Sequence, residues 1–418
     1  MTSEFDQNLE KYVDVILKVG LNLQKGQRLL IEPYFGTPLF ELTSLIKLIA
    51  KKAYQMGARL VEVLWSDPQL YLIRLQYAPR DSFEEFPIWR RDVSLDFTKK
   101  REAELSISAT DPLLFKDQDQ ELLKIIIQSI LKHNKPIGDL IKKNTTNWTG
   151  IKVPAVGWAK KVFPNVPKDE RIAKFWDIIF DICRIKQKDP ISAWENHIKE
   201  LKARSNYLTK KQFSSLKMEG SGTDLTIGLP KGHIWLSAGF KSQNGINFVA
   251  NIPTEEVFTI PHRDKTEGVV TMTKPLVYRG NLIEDIKLTF SKGKIVELNA
   301  GKGKKFLENI TKTDEGASRL GEVALVPHSS PISQTGLLFY NIGIDENAAN
   351  HIALGKGFNF NLKNGEDMSD EEFSAVGGNN SLVHIDCMVG SGEVHVDGIK
   401  EDGAAEPIMR NGEWAFNV

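Results

Sequence analysis

Residues able to bind cations or move protons gather in the second half of this chain. Glu255 and Glu256 stand side by side in the stretch Asn251-Ile-Pro-Thr-Glu-Glu-Val-Phe-Thr-Ile-Pro-His262, between apolar segments. Glu322, Glu346, His351, His384 and Asp386 follow in short, widely separated groups. Carboxylate oxygens and imidazole nitrogens are the ligands that a hydrolytic site built on two divalent ions needs. No other chemistry in the sequence is as well supplied.

Each group has a plainer alternative. One carboxylate of an adjacent pair can hold an ion while its neighbour accepts a proton from water, but a Glu-Glu pair is also what a solvated surface carries. Pro253, Pro261 and the apolar surroundings favour a role for Glu255 and Glu256. If residues 382–389 form a strand, alternation puts His384 and Asp386 on one face, about 7 Å apart at the backbone. His395 and Asp397 share that spacing. A tight hairpin at Gly390-Ser391-Gly392 would turn this second pair to the other face, leaving it as turn chemistry beside Gly398. Glu322 lies inside Leu320-Gly-Glu-Val-Ala-Leu-Val326, and a carboxylate in an apolar strand must be paired or metal-bound, because an isolated buried charge is very unfavourable. Glu346 and His351 are five apart, off a common helical face, so they act together only if a helix begins between them. The plain alternative for His351 is a hydrogen-bonded core histidine. His133, His197 and His233 read as structural or exposed, and His262 and His328, each after a proline, are compatible with a pocket edge. His-Glu-x-x-His, Gly-x-Ser-x-Gly, Gly-x-x-x-x-Gly-Lys and a strand-led Gly-x-Gly-x-x-Gly are all absent.

The elements that must position these groups fall into two textures. In the first half, Phe5, Leu9, Tyr12, Val13, Ile16 and Leu17 form a helical stripe, led by Ser3-x-x-Asp6 and stopped by Gly20. Leu29–Ile31, Leu60–Trp65 and Glu104–Ile107 read as strands, and Thr37–Met56 and Glu121–Leu131 as helices. That βαβ rhythm predicts an α/β domain with a mostly parallel sheet, followed by a helical region from Glu170 to about Leu208. Beyond Gly220-Ser221-Gly222, short alternating segments separated by Gly, Pro and Asn predict a β-rich second domain, with helices near Gly316–Leu320 and Glu346–Leu354. The expected division is 1–215, a scaffold or dimer surface, and 216–418, which holds the candidate ligands.

Composition removes several alternatives. At 418 residues, two domains are the default. Lys+Arg and Asp+Glu balance at 54 each, which argues against a nucleic-acid partner. No apolar run of about 18 residues offers a membrane span, and the first residues, with Asp6 and Glu10, lack a signal-like apolar core. Two cysteines, Cys183 and Cys387, cannot build a disulfide framework or a thiolate zinc site. A cytoplasmic protein is expected.

On these residues, the chain resembles the thermophilic metallo-aminopeptidases of the aminopeptidase T type. The resemblance rests on residues 251–263 (NIPTEEVFTIPHR), 313–328 (TDEGASRLGEVALVPH), 345–355 (DENAANHIALG) and 377–387 (GGNNSLVHIDC), with weaker matches at Thr146–Thr149 and Trp194–His197. It implies metal ligation by Glu256, Glu322, His351, His384 and Asp386, with Glu346 as a further carboxylate. It also implies a homodimer, peptide substrates and two divalent ions (zinc, cobalt, magnesium or manganese). By analogy with other two-metal aminopeptidases, Glu255 would be the general base, and a hydroxide held by both ions would attack the scissile carbonyl. One departure stands out: the family's active-site tyrosine, seven residues after the ligand histidine, is Phe358 here, with no hydroxyl to donate to an oxyanion. Cys387 also replaces an aromatic. A catalytically weak peptide- or metal-binding relative, or another two-metal hydrolase such as a dipeptidase, are the competing expectations.

Overall fold

A computed structural model describes residues 3–220, 222–278 and 280–418. The chain forms two compact units, 1–197 with 239–253, and 198–238 with 254–418. The expected cut after residue 215 treats the chain as two consecutive segments; the compact units interleave, and 239–253 packs with the first.

The first unit starts with a capped helix. Ser3 Oγ accepts the Asp6 N–H at 3.1 Å while the Asp6 carboxylate accepts the Ser3 N–H at 3.2 Å, a reciprocal cap that starts helix Glu4–Val15. Its central sheet consists of β1 (Arg28–Pro33), β2 (Leu60–Val63), β3 (Ala103–Ser108) and β4 (Trp148–Lys152), closed by the short strand Asn251–Ile252. The order is β2-β1-β3-β4 and then Asn251–Ile252, with every pair parallel. Leu29, Leu30, Ile31, Leu105 and Ile107 are buried, as strands covered by helices on both faces require. The predicted parallel sheet is present. Strand β4 was invisible to periodicity because Trp-Thr-Gly-Ile-Lys alternates weakly, and the helix expected over 121–131 extends over Gln120–Lys142 with Pro136 inside it. The helical region is two helices, Arg171–Ile182 and Pro190–Lys211.

The second unit is rich in strands, as expected, and they pair antiparallel. An eight-stranded sheet includes Ser215–Gly220, Thr223–Gly228, Thr266–Thr271 and His395–Ile399. A separate four-stranded sheet has the order β5 (Val257–Thr259), β6 (Leu320–Leu325), β7 (His351–Gly355) and β8 (His384–Met388). Two expectations are corrected here. The helix predicted over Glu346–Leu354 is a short 3-10 turn, Glu346–Ala348, followed by strand β7; Ile-Ala-Leu fits a fully buried strand as well as a helix, and burial on both faces decides it. Around Gly316–Leu320 there is only the turn Gly316–Ser318 before β6 begins. The mixed α/β class, a parallel sheet followed by an antiparallel, strand-rich region, is the observed one.

Candidate metal centre

The four-stranded sheet brings the candidate ligands to one face. Glu322 pairs with Ala353 and Ala353 with Asp386, so these three side chains project to the same side. His351 and His384 lie two residues before Ala353 and Asp386 and therefore share that side. Phe258 pairs with Ala324, which puts Glu256, just ahead of β5, on the same side too. The register is tight where His384 meets Gly355: a Cβ on this glycine, at φ +101°, would come within 2.1 Å of the Val383 carbonyl oxygen.

Side-chain distances divide the cluster into two lobes. His351 Nε2 lies 3.1 Å from Glu256 Oε2 and 3.6 Å from Glu322 Oε1. His384 Nε2 lies 3.2 Å from Asp386 Oδ1 and 3.8 Å from Glu322 Oε2. Glu322 thus offers one oxygen to each lobe. Donor atoms of Glu256, Glu322 and His351 all lie within 4.8 Å of one another. Glu346 reaches the second lobe through a hydrogen bond with the Asp386 carboxyl. Glu322, His351 and Asp386 are 5%, 1% and 7% exposed.

Hydrogen bonds on the far side of each ring fix which nitrogen is free. His384 Nδ1 lies 2.7 Å from the Lys356 carbonyl oxygen, and His351 Nδ1 lies 3.2 Å from that of Ala349. A carbonyl can only accept, so each Nδ1 carries the hydrogen, and in a neutral ring Nε2 presents a lone pair. Those lone pairs face carboxylate oxygens that also have none to donate. Accordingly, His351 Nε2 and Asp386 Oδ1 are buried and make no hydrogen bond of acceptable geometry, despite their close neighbours. Burial lowers the affinity of His384 for a proton, but the charges of Asp386 and Glu322 outweigh this and push its pKa up to about 10. Burial likewise raises Glu322, against the pull of His351 and His384. With no cation present the rings therefore hold protons at neutral pH, and a divalent ion would displace those protons from the same Nε2 atoms. The donor set fits a divalent cation.

Other predicted residues fall nearby or elsewhere. Glu255 is 3% exposed, and its N–H donates to Asn347 Oδ1 at 2.7 Å. The Phe358 ring centre lies 4.9 Å from that of His384 and 5.0 Å from Phe360, which it stacks on at 7°. Cys387 is buried, and desolvation pushes its thiol pKa up. The hairpin expected at Gly390–Gly392 does not form: 384–388 and 395–399 belong to different sheets, and His395–Ile399 pairs with Ser215–Gly220. Asp397 is ion-paired with Arg410 at 2.5 Å rather than serving a turn, and His395 Nδ1 accepts the Asn411 N–H. The sequence reading gave Asn347 no role. It is buried, and besides holding the Glu255 backbone it donates from Nδ2 to Glu346 Oε1 at 3.3 Å; its place beside Glu346 was the available signal.

A family model described as thermophilic metalloprotease (M29) matches residues 5–414. The chain belongs to the M29 metalloprotease family. It is 42% identical to Aminopeptidase 2 of Geobacillus stearothermophilus over 416 residues, covering all of both chains. It is 41% identical to Aminopeptidase T of Thermus thermophilus over 410 residues, 98% of this chain and 99% of that one. The solved structure titled wild-type AmpT from Thermus thermophilus superposes with a TM-score of 0.93 at 40% identity, covering 99% of this chain and 100% of that chain. M29 members are metal-dependent hydrolases of peptide bonds. Among the described residues, no helix is long and apolar enough to cross a membrane.

Proposed function

We propose that the chain is an aminopeptidase that removes N-terminal residues from short peptides, using two divalent ions held by Glu256, Glu322, His351, His384 and Asp386, with Glu346 as an outer carboxylate. The observation that carries this reading is the pair of imidazoles whose Nδ1–H groups are spent on carbonyls while their Nε2 atoms face the two oxygens of Glu322. A carboxylate shared between two such lobes suits adjacent ions. Divalent ions supply Lewis acidity toward the scissile carbonyl and make water nucleophilic near neutral pH. Zinc, cobalt, magnesium and manganese all accept this oxygen and nitrogen set.

The chain's own residues do the rest. Glu255, buried and tied through its backbone to Asn347, is the proposed general base and proton carrier to the leaving amine. Phe358 and Phe360 stack to form an apolar wall, with Phe358 lying against His384. Lacking a hydroxyl, Phe358 stabilises no oxyanion, so turnover is expected to be modest. Full-length relatives named as aminopeptidases at 40–42% identity favour an enzyme over a binding-only protein. The first compact unit as scaffold and dimer surface, the second as the catalytic unit, a homodimer and a cytoplasmic location complete the proposal.

A panel of short peptides with free and acetylated N-termini, incubated with metal-loaded protein, tests it. Stepwise release of the first residue from the free peptides alone is expected. No release from any peptide with both ions bound contradicts it, and hydrolysis of phosphoesters in its place points to a different hydrolase.

A further inference from the structure

Glu256 meets the first lobe, its Oε2 3.1 Å from His351 Nε2, while its neighbour Glu255 is buried at 3% exposure. Both stand just ahead of β5, in residues 254–256, which belong to no strand. No sheet ladder therefore fixes the backbone at Glu255, yet the direction of that backbone decides where its short, buried carboxyl arm can reach.

A distant side chain holds it. The Glu255 N–H donates to Asn347 Oδ1 at 2.7 Å, across 92 positions of sequence. A backbone N–H can only donate, so the amide oxygen of Asn347 faces Glu255 and its nitrogen faces the other way. There Nδ2 donates to Glu346 Oε1 at 3.3 Å, and Glu346 hydrogen-bonds the Asp386 carboxyl of the second lobe. The backbone of Asn347 is pinned in turn, because Ser330 Oγ donates to its carbonyl oxygen at 2.7 Å. Asn347 and Ser330 are 1% and 2% exposed, so water competes little for these bonds. One amide thus joins the Glu255 backbone to a carboxylate of the second lobe. The residue type is specific: an apolar side chain would leave a buried N–H unpaired, and a carboxylate would offer Glu346 no donor.

We propose that Asn347 is a positioning residue for peptide hydrolysis, aiming the Glu255 carboxyl through its backbone and tying that aim to the second lobe through Glu346. Asn347 acts through Glu255 rather than on the ions or the substrate. The inference rests on the reading of Glu255 as general base and adds what orients that base. Misplacing a catalytic group by about 1 Å can cost about 100-fold in rate, so a loosened anchor has a measurable effect.

A double-mutant cycle on the full-length, metal-loaded protein tests this, with kcat and KM for a short peptide and metal content read for each variant. Asn347→Ala is expected to lower kcat about tenfold, with KM and metal content unchanged. In a Glu255→Gln background the same substitution should cost less than about twofold, because no base is left to aim. Ser330→Ala removes one hydroxyl and neither amide contact, and serves where Asn347→Ala does not fold. It should lower kcat about threefold and likewise lose its effect beside Glu255→Gln. Equal losses in the two backgrounds overturn the proposal, since a purely structural role is indifferent to the base. So does a loss that excess divalent ion reverses, which would route Asn347 through Glu346 and the metals. If Glu255→Gln itself leaves kcat intact, the base assignment falls and the proposal built on it falls too, an outcome distinct from the other two.

Discussion

Both units gather carboxyl groups on one sheet, and they neutralise them in different ways. In the parallel sheet, Glu32 on β1 and Glu104 on β3 each receive a hydroxyl from one helix: Ser94 Oγ donates to Glu32 and, one turn later, Thr98 Oγ1 donates to Glu104. Burial raises both, and the charge of Glu32 helps push Glu104 up to about 8, so this acid keeps its own proton at neutral pH. In the antiparallel sheet, Glu256, Glu322 and Asp386 face imidazole nitrogens whose hydrogens are committed elsewhere. There the compensating charge comes from protons on the imidazoles or from a cation that displaces them. A buried acid with a hydroxyl donor is a packing solution, whereas a buried acid opposite a lone pair is a binding site.

The comparison breaks most severely at Glu322, whose two oxygens serve both lobes. Glu322→Gln is expected to remove metal and to lower kcat/KM by more than about 1000-fold, beyond the 10- to 100-fold typical of an outer-shell partner. Metal analysis beside peptide kinetics would reveal it; full metal content in the variant would contradict it. Glu255→Gln should lower kcat by about 100-fold, as removal of a general base does, while both ions stay bound. If KM alone changes, Glu255 positions substrate and another group moves the proton. Phe358→Tyr restores a hydroxyl beside His384 and should raise kcat about tenfold, within what one oxyanion donor supplies elsewhere; an unchanged rate means only the ring face is used.

The smallest expected effect sharpens the contrast from the other side. Glu104, raised from 4.5 to about 8, binds a proton more tightly folded than unfolded. Its contribution is complete below the unfolded value and is lost as pH climbs through about 8. Glu104→Gln keeps an oxygen for Thr98 and cannot ionise. Its Tm should therefore exceed the parent's increasingly from pH 6 to 9, by about 2–4 °C for each kcal/mol recovered. Parallel Tm profiles for the two proteins would show that Glu104 is not the titrating group.

Much of this was readable from residue types. The capped first helix and the buried strands of the parallel sheet follow from local pattern, and the improbability of an unpaired carboxylate inside an apolar strand marks Glu322, whereas the set of Glu256, Glu322, His351, His384 and Asp386 is what the family resemblance implies. What escaped was decided by distant partners. Residues 351–355 carry no alternation that separates a buried strand from a helix, and only their pairing with β6 and β8 makes them a strand. The Gly390–Gly392 segment has hairpin residues, yet 395–399 finds a better edge on Ser215–Gly220, 175 or more positions earlier. The carbonyls of Ala349 and Lys356, which set the imidazole tautomers, are backbone atoms and leave no mark on the sequence.

The most direct measurement is a titration of divalent cation into metal-free full-length protein, with stoichiometry read by calorimetry and elemental analysis. Two ions per chain, falling in Glu322→Gln, is the predicted result. A stoichiometry of zero or one, or binding indifferent to Glu322, would contradict the account of a shared carboxylate between two lobes.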